Sequence, residues 1–222
     1  MGFGDLIFPK KCFGCKKVGL YVCNDCLKKV GLPKSVCPYC TKPALDGVTH
    51  EKCLGKLGLD GLVALSAYEG VVRNAIGGLK FKYANSVAQE LLCQTLQRAP
   101  DWLFQNVSLI IPIPMHPKRE RERGFNQAEL LAELLSSEIQ LPVLKDGVFK
   151  KKNTPSQTTL SGKARRKNLI GAFGWNKKYK LEKDLSALII DDVYTTGSTM
   201  KEVAKVLKRN GFGKAWGLAI AR

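Results

Sequence analysis

The sequence predicts an α/β protein: a twisted parallel sheet flanked by helices over 59–222, preceded by a small cysteine-rich, zinc-ribbon-like module over 1–58. Short apolar runs, of which 187–190 is the clearest, are typical of strands buried on both faces of a parallel sheet. Segments with helical spacing of apolar residues alternate with these runs, as a parallel sheet requires. We expect further strands at 62–65, 107–111, 172–175 and 215–220, and helices at 71–79, 86–97 and 199–209.

The run at 187–190 is followed by the stretch that says most about function. Two adjacent carboxylates, Asp191 and Asp192, come first, and Val193 and Tyr194 follow them. A loop of small residues rich in hydroxyl groups comes next, called here the hydroxyl loop: Thr195, Thr196, Gly197, Ser198 and Thr199. Thr199 and Glu202 have the spacing of a capping box, which predicts that a helix begins at this loop.

A strand, a loop and a helix N-terminus in this order can bind an anion. Free backbone N–H groups and the positive end of the helix dipole favour a phosphate there. Carboxylates beside a phosphate site suit the hydroxyl groups of a ribose, or Mg²⁺ held among oxygens. The stretch therefore indicates a sugar-phosphate site, and the alternative is an ordinary strand-to-helix turn with two Asp residues near its cap.

Composition favours anionic partners. The chain has 222 residues, 45% of them hydrophobic, and a formal net charge of +17. Phosphorylated small molecules, nucleic acid or both fit this charge, although a solvated lysine-rich surface would give the same balance. The sequence has no stretch of membrane-spanning length and its start does not resemble a signal peptide, so we expect a cytoplasmic protein without membrane insertion.

Cysteines are concentrated in the first quarter of the chain, where spacing predicts two structural Zn²⁺ sites. Three C-x-x-C pairs in a reducing compartment favour zinc over disulfides. The first predicted site has four thiolates: Cys12, Cys15, Cys23 and Cys26. The second has three thiolates and an imidazole: Cys37, Cys40, His50 and Cys53. A crossed pairing of 12/15 with 37/40 is an alternative, and His50 could instead be an ordinary loop residue.

The remaining signals lie in the middle of the chain. The run 118–123 alternates basic and acidic residues before a helix that Asn126 is expected to cap. If this run is extended, it would place Arg119, Arg121 and Arg123 on one side, where guanidinium groups suit a diphosphate.

Basic and aromatic residues alternate at 80–83, a pattern that can bind single-stranded nucleic acid. The polar stretch 150–168 contains Arg165 and Arg166 and is typical of a lid or a disordered loop. The isolated Cys93 is expected to be a buried core thiol.

Taken in order, these motifs resemble the ComF family, whose members have a cysteine-rich head, a type I phosphoribosyltransferase-like domain and a link with natural competence. The resemblance covers nearly the whole chain. It rests on the cysteine pairs at 12–53 and on the runs IPIP at 111–114, RERGFNQ at 121–127, NTPSQT at 153–158, RRKN at 165–168 and DDVYTTGST at 191–199. The departure is the His50/Cys53 pair, where the family usually has another C-x-x-C.

The resemblance implies a site for phosphoribosyl pyrophosphate (PRPP) with Mg²⁺. Asp191 and Asp192 would bind the ribose hydroxyls and the hydroxyl loop the 5′-phosphate. Arg121 and Arg123 would lie near the pyrophosphate, and Arg165 and Arg166 would come from a mobile loop. The implied reaction is a phosphoribosyl transfer that releases pyrophosphate, with no acceptor indicated by the sequence.

Two functions therefore remain open. The chain is either a PRPP-binding phosphoribosyltransferase-family protein that acts in DNA uptake, or a non-catalytic competence factor that binds single-stranded DNA and keeps the PRPP site as a sensor. Competence-machinery proteins are expected partners in both cases. The two differ in whether pyrophosphate is released.

Overall fold

The computed structural model describes residues 9–79, 84–152 and 169–222. Its centre is a four-stranded, fully parallel sheet with the strand order β1-β6-β5-β2. A separate antiparallel ribbon pairs β3 with β4. The strands are β1 (Gly61–Ser66), β2 (Leu109–Pro112), β3 (Val148–Lys150), β4 (Phe173–Trp175), β5 (Ser186–Val193) and β6 (Lys214–Ala221). The expected strand at 172–175 thus exists, but it lies in the ribbon and not in the main sheet.

Helices cover both faces of the sheet. They are α1 (Asn24–Leu27), α2 (Gly70–Gly78), α3 (Ala84–Leu96), α4 (Asp101–Gln105), α5 (Pro117–Arg123), α6 (Gln127–Ile139) and α7 (Ser198–Arg209). Among the described residues, none of these helices has the length and apolar character needed to cross a membrane.

Alternating residues of β5 and β6 divide the core into two layers. Leu188 and Leu218 point to the layer formed with α2, α3 and α6, whereas Ile189 and Ala219 point to the layer formed with α7 and the ribbon. This alternation follows from the two-residue period of a strand. All four of these side chains are fully buried, which explains the nearly continuous apolar runs in the sequence.

The connections leave the sheet in opposite directions on either side of the β2–β5 pair. From β2 the chain passes through α6 to the segment 142–144, which lies parallel to β2 through a bridge between Ile110 and Val143. From β5 it passes through α7 to β6, on the other side. Such a reversal opens a crevice at the carboxyl ends of the strands, where α/β proteins bind ligands. At this edge β2 ends at Pro112, and the last three residues of β5 are Asp191, Asp192 and Val193.

The cysteine-rich module packs into the same core as the sheet. Cys12, Val22, Leu27 and Val30 belong to the hydrophobic cluster that contains α2 and α3. An antiparallel bridge between Val48 and Gly61 also joins the module to β1.

Two local predictions are wrong. Helix α7 begins at Ser198 with Gly197 at its N-cap, so Thr199 lies inside the first turn and Glu202 pairs with Lys205 instead of forming a capping box. Cys93 is exposed and its thiol lies 3.9 Å from a Glu138 carboxylate oxygen, because the polar side of α3 carries it.

Candidate functional site

A cavity of about 380 Å³ opens at the carboxyl ends of β2 and β5. The charged residues of its lining are Arg119, Arg123, Lys150, Asp191 and Asp192. Largely apolar residues complete much of the lining: Tyr68, Ile76, Gly77, Ile113, Pro114 and Met115. The cavity thus combines carboxylates with three cationic side chains at the point where the crossover directions reverse.

Asp191 and Asp192 end the buried part of β5 and both line the cavity. Each carboxylate accepts a hydrogen bond from the next backbone N–H, from Asp192 at 2.9 Å and from Val193 at 2.7 Å. Burial, and then the negative charge of Asp192, raise the pKa of Asp191 well above its usual range. A pair of carboxylates held this way is costly in the folded chain, and such pairs are typical of ligand sites.

Lys150, at the end of β3, is a member of the site that no sequence pattern singles out as a ligand. Its side chain lies between charges of both signs: burial and the nearby Arg119 lower its pKa, whereas Asp191 raises it. The ribbon of β3 and β4 packs against α7 and so brings Lys150 to the carboxyl edge of the sheet. Lys150 is 41 positions from Asp191 in the sequence, so this contact between distant segments is what brings it to the cavity.

The basic run folds as a helix and not as an extended segment. Helix α5 begins with Pro117 after the N-cap His116, whose side chain accepts from the Lys118 backbone N–H, and it ends at Gly124 with a φ of 89°. Residues four positions apart share a helix face, so Arg119 and Arg123 both line the cavity. Arg121 is exposed on a different face of α5. Of the three arginines that the extended interpretation placed together, Arg119 and Arg123 thus line the cavity and Arg121 does not.

The N-terminus of α6 also faces the cavity. Asn126 caps it as predicted, accepting from the Ala128 backbone N–H at 3.1 Å, and its amide donates to the Ile113 carbonyl at 3.0 Å. Gln127 is 5% exposed, and its Oε1 accepts from the Arg123 guanidinium. Its Nε2 is buried without a hydrogen-bond partner among the described residues. A buried unpaired donor is costly, so this amide is suited to an anionic or carbonyl ligand.

The hydroxyl loop forms the turn between β5 and α7. Thr195 and Thr199 line the cavity, and the Thr196 and Ser198 hydroxyls lie 2.9 Å apart behind them. Gly197 has a φ of 69°, and a Cβ there would lie 2.1 Å from the Tyr194 hydroxyl oxygen. Only glycine fits, on grounds of both conformation and space.

Tyr194 lies beneath this loop and not in the cavity. Its side chain is 6% exposed, and burial raises its pKa to about 12, so the hydroxyl remains a donor at neutral pH. Of the other predicted site residues, Val193 lines the cavity, whereas Arg165 and Arg166, like the segment 80–83, lie outside the described residues.

The first zinc site is assembled as the spacing predicts. One ligand atom from each of Cys12, Cys15, Cys23 and Cys26 lies within 4.8 Å of the other three. Burial opposes ionisation of the Cys12 thiol, but backbone N–H donors from Cys23, Cys15 and Gly14 outweigh it and lower its pKa to about 6. A preformed cluster of four cysteine sulfurs, one of them a thiol of lowered pKa, matches the tetrahedral four-sulfur site of structural zinc.

The second site repeats the first. Its ligand atoms, from Cys37, Cys40, His50 and Cys53, also lie within 4.8 Å of one another, which rules out the crossed pairing in the described structure. The His50 Nδ1 lies 3.3 Å from the Cys40 sulfur, and the Nε2 lies 3.0 Å from the Pro43 carbonyl oxygen, to which it donates. A ligand imidazole oriented by a backbone carbonyl is a common feature of zinc sites.

Each zinc site begins with a C-x-x-C turn, called here a knuckle, and the first knuckle (12–15) has the same backbone hydrogen bond as the second (37–40). The Cys12 N–H donates to the Lys17 carbonyl, and the Cys37 N–H donates to the Lys42 carbonyl. Lys16 and Thr41, which follow the second cysteine of each knuckle, both have positive φ. The module is therefore a tandem repeat of one zinc-binding turn.

Comparisons with known proteins agree with this architecture. Residues 3–54 match the family model described as a double zinc ribbon domain. Together with the parallel sheet, this match defines a two-zinc-site α/β protein. The chain is 31% identical to the DNA utilization protein YhgH of Escherichia coli (strain K12), over 93% of this chain and 94% of the relative.

Two further relatives are competence proteins. The chain is 40% identical to Competence protein F of Haemophilus influenzae over 50% of each chain. It is 27% identical to Competence protein ComFC of Bacillus subtilis over 86% of this chain and 78% of that one. The chain therefore belongs to the ComF family.

Proposed function

We propose that this protein binds PRPP with Mg²⁺ at the carboxyl edge of its sheet and acts in DNA uptake, transferring phosphoribose with release of pyrophosphate. One observation carries the proposal. The Asp191–Asp192 pair, the hydroxyl loop and the Arg119–Arg123 face of α5 line one cavity at the point where the crossovers reverse. PRPP carries phosphate groups at both ends of its ribose. Its site therefore needs groups that accept hydrogen bonds from the ribose hydroxyls and groups that donate hydrogen bonds to the phosphates.

Each part of PRPP has a complementary group. The hydroxyl loop and the first N–H groups of α7 would bind the 5′-phosphate, with the helix dipole favouring its charge. The carboxylates of Asp191 and Asp192 would accept hydrogen bonds from the ribose hydroxyls. Arg119, Arg123 and the unpaired Gln127 amide would hold the pyrophosphate.

The residues also fit the transfer step. The bond from the anomeric carbon to pyrophosphate breaks, a bond to the acceptor nitrogen forms, and the nitrogen loses a proton. Positive charge develops on the ribose, and the carboxylates beneath it stabilise that charge. Arg119, Arg123 and Lys150 stabilise the departing pyrophosphate, and the oxygen-rich Asp191–Asp192 pair suits Mg²⁺, which would neutralise pyrophosphate charge.

A second candidate function keeps the cavity as a PRPP sensor and gives single-stranded DNA binding to the basic surface. The lysines around the first zinc site favour it, because Lys11, Lys16, Lys17, Lys28 and Lys29 are all exposed. Relatives named for competence and for DNA utilization support a role in DNA uptake under either candidate. Release of pyrophosphate separates the two.

The test is calorimetric titration of zinc-loaded full-length protein with PRPP and Mg²⁺, using Asp191→Asn/Asp192→Asn. We expect the double variant to lose PRPP binding and to keep single-stranded DNA binding, which should fall steeply with salt. Asp184→Asn is the matched control, because Asp184 lies just before the amino end of β5 and is exposed. Unchanged PRPP affinity in the double variant would refute this site.

A further inference from the structure

The second zinc knuckle, defined here as residues 37–40, contacts Tyr194, the residue that precedes the hydroxyl loop and packs against Gly197. Tyr194 donates from its hydroxyl to the Pro38 carbonyl at 3.3 Å, across 156 positions of sequence. Pro38 lies between the two zinc ligands Cys37 and Cys40, and both Cys37 and Pro38 are buried. The ring that supports Gly197 is thus anchored to a zinc-binding turn.

Tyr39 makes a second connection. The Lys201 Nζ lies 4.8 Å from the centre of the Tyr39 ring, a cation–π distance, and it donates to the Thr196 carbonyl at 3.4 Å. The Tyr39 hydroxyl accepts from the Leu59 backbone N–H at 2.7 Å, which fixes the ring from its other end. The knuckle therefore reaches the loop through two side chains, one below the loop and one at the first turn of α7.

The first zinc site packs elsewhere. Phe13, inside its first knuckle, accepts from Asn74 of α2 through its carbonyl at 3.1 Å, and the Val22 carbonyl accepts from Gln94 of α3 at 2.6 Å. These helices belong to the opposite layer of the core from α7. The two zinc sites thus have similar ligand geometry but different neighbours. Loss of metal from the first site is therefore an internal control for loss of metal from the second.

We propose that the second knuckle, when its site holds zinc, keeps the hydroxyl loop in its phosphate-binding shape, with Tyr194 and Tyr39 as positioning residues. The proposal rests on the proposed PRPP function. A zinc-filled site fixes the Cys37–Cys40 turn and with it the Pro38 carbonyl, so the Tyr194 hydroxyl has a rigid acceptor. Loss of this metal releases the acceptor and lets the floor of the loop move, and loss of metal from the first site does not.

The first test uses variants that keep every zinc ligand. Tyr194→Phe removes only the hydroxyl, and a single hydrogen bond is worth about 0.5–1.5 kcal/mol. We expect backbone amides of 195–199 to exchange about 2- to 10-fold faster in the free protein, and PRPP affinity to fall by a similar factor. Tyr179→Phe is the matched control, because it removes a tyrosine hydroxyl that donates to Asp146 on an exposed part of the surface.

The second test removes one ligand from each site, with zinc content measured by mass spectrometry. We expect Cys53→Ser to accelerate exchange at 195–199 and Cys15→Ser to leave it unchanged. Equal acceleration by both, or by neither, would overturn the proposal, as would parental exchange rates in Tyr194→Phe. Hydrogen exchange is measured without ligand, so it tests the role of the knuckle separately from the proposed function. If the unsubstituted protein does not bind PRPP, the proposed function is refuted, and the exchange rates at 195–199 still decide whether the knuckle holds the loop.

Discussion

Gly197→Ala tests the geometry of the hydroxyl loop most directly. An alanine at a φ of 69° costs about 1–2 kcal/mol on backbone grounds. Its Cβ would also lie 2.1 Å from the Tyr194 hydroxyl oxygen and 2.3 Å from the adjacent ring carbon, more than 1 Å inside ordinary van der Waals contact. The buried ring has little room to move, and overpacking of this kind costs about 1–3 kcal/mol more.

We therefore expect Gly197→Ala to lose roughly 2–5 kcal/mol of unfolding free energy, and to bind PRPP at least about tenfold more weakly because the loop is displaced. Gly211→Ala is the matched control: Gly211 has a φ of 95° near the other end of α7, and a Cβ there would meet nothing within 4 Å. It should lose about 1–2 kcal/mol and bind PRPP normally. Urea unfolding at fixed free zinc, followed by tryptophan fluorescence, measures both variants; equal losses would show that Tyr194 does not pack beneath the loop.

Two more predictions concern the charged residues that line the cavity. Arg119→Gln should weaken PRPP binding about tenfold or more, through loss of a charge-assisted contact worth about 1.5–3 kcal/mol, whereas Arg121→Gln on the exposed face should bind like the parent. The reverse order in calorimetry would contradict the role given to Arg119, and equal losses in both variants would favour the extended interpretation of 118–123. Asp191→Asn should stabilise the free protein at pH 8. Because burial raises the pKa of Asp191, the folded state keeps the carboxyl proton to a higher pH than the unfolded state does. The stability of the parent therefore falls as pH rises from the unfolded-state pKa to the folded-state pKa. The difference in unfolding free energy between Asp191→Asn and the parent, measured in urea, should shrink as pH is lowered from 8 to 5.5. The variant and the parent are compared at the same pH, so that effects of pH on zinc binding cancel. A difference that does not change with pH would contradict the raised pKa of Asp191.

Local patterns predicted both zinc ligand sets and every described strand except β3. The two-residue and four-residue periods of strands and helices, and the spacing of C-x-x-C turns, are properties of a few neighbouring residues. The double zinc ribbon match and the paired ligand clusters confirm the cysteine interpretation, including His50 as the fourth ligand. The order of strands in the sheet brings Asp191 and Asp192 to its carboxyl edge, as a strand that ends in carboxylates suggests.

The errors have identifiable causes. The sequence does contain signals for α5, with Pro117 at the first helical position and Gly124 after the last, but the charges of 118–123 alternate with the two-residue period of a strand and so favour an extended segment. The positions of Lys150 and of the Tyr194 hydroxyl depend on contacts between distant segments, which no local pattern encodes. The expected Thr199 capping box does not form, because the left-handed Gly197 is the N-cap of α7 and lies two residues before Thr199.

The shared core has a consequence for genetic experiments on this family. Because Val22, Leu27 and Val30 complete the layer around α2 and α3, removing the cysteine-rich head would uncover apolar side chains on the sheet domain. A headless variant would then be prone to aggregation and rapid degradation in cells. A transformation defect caused by such a deletion would report lost protein as readily as lost DNA contact, and point changes of exposed lysines such as Lys16 and Lys28 are the cleaner genetic probe.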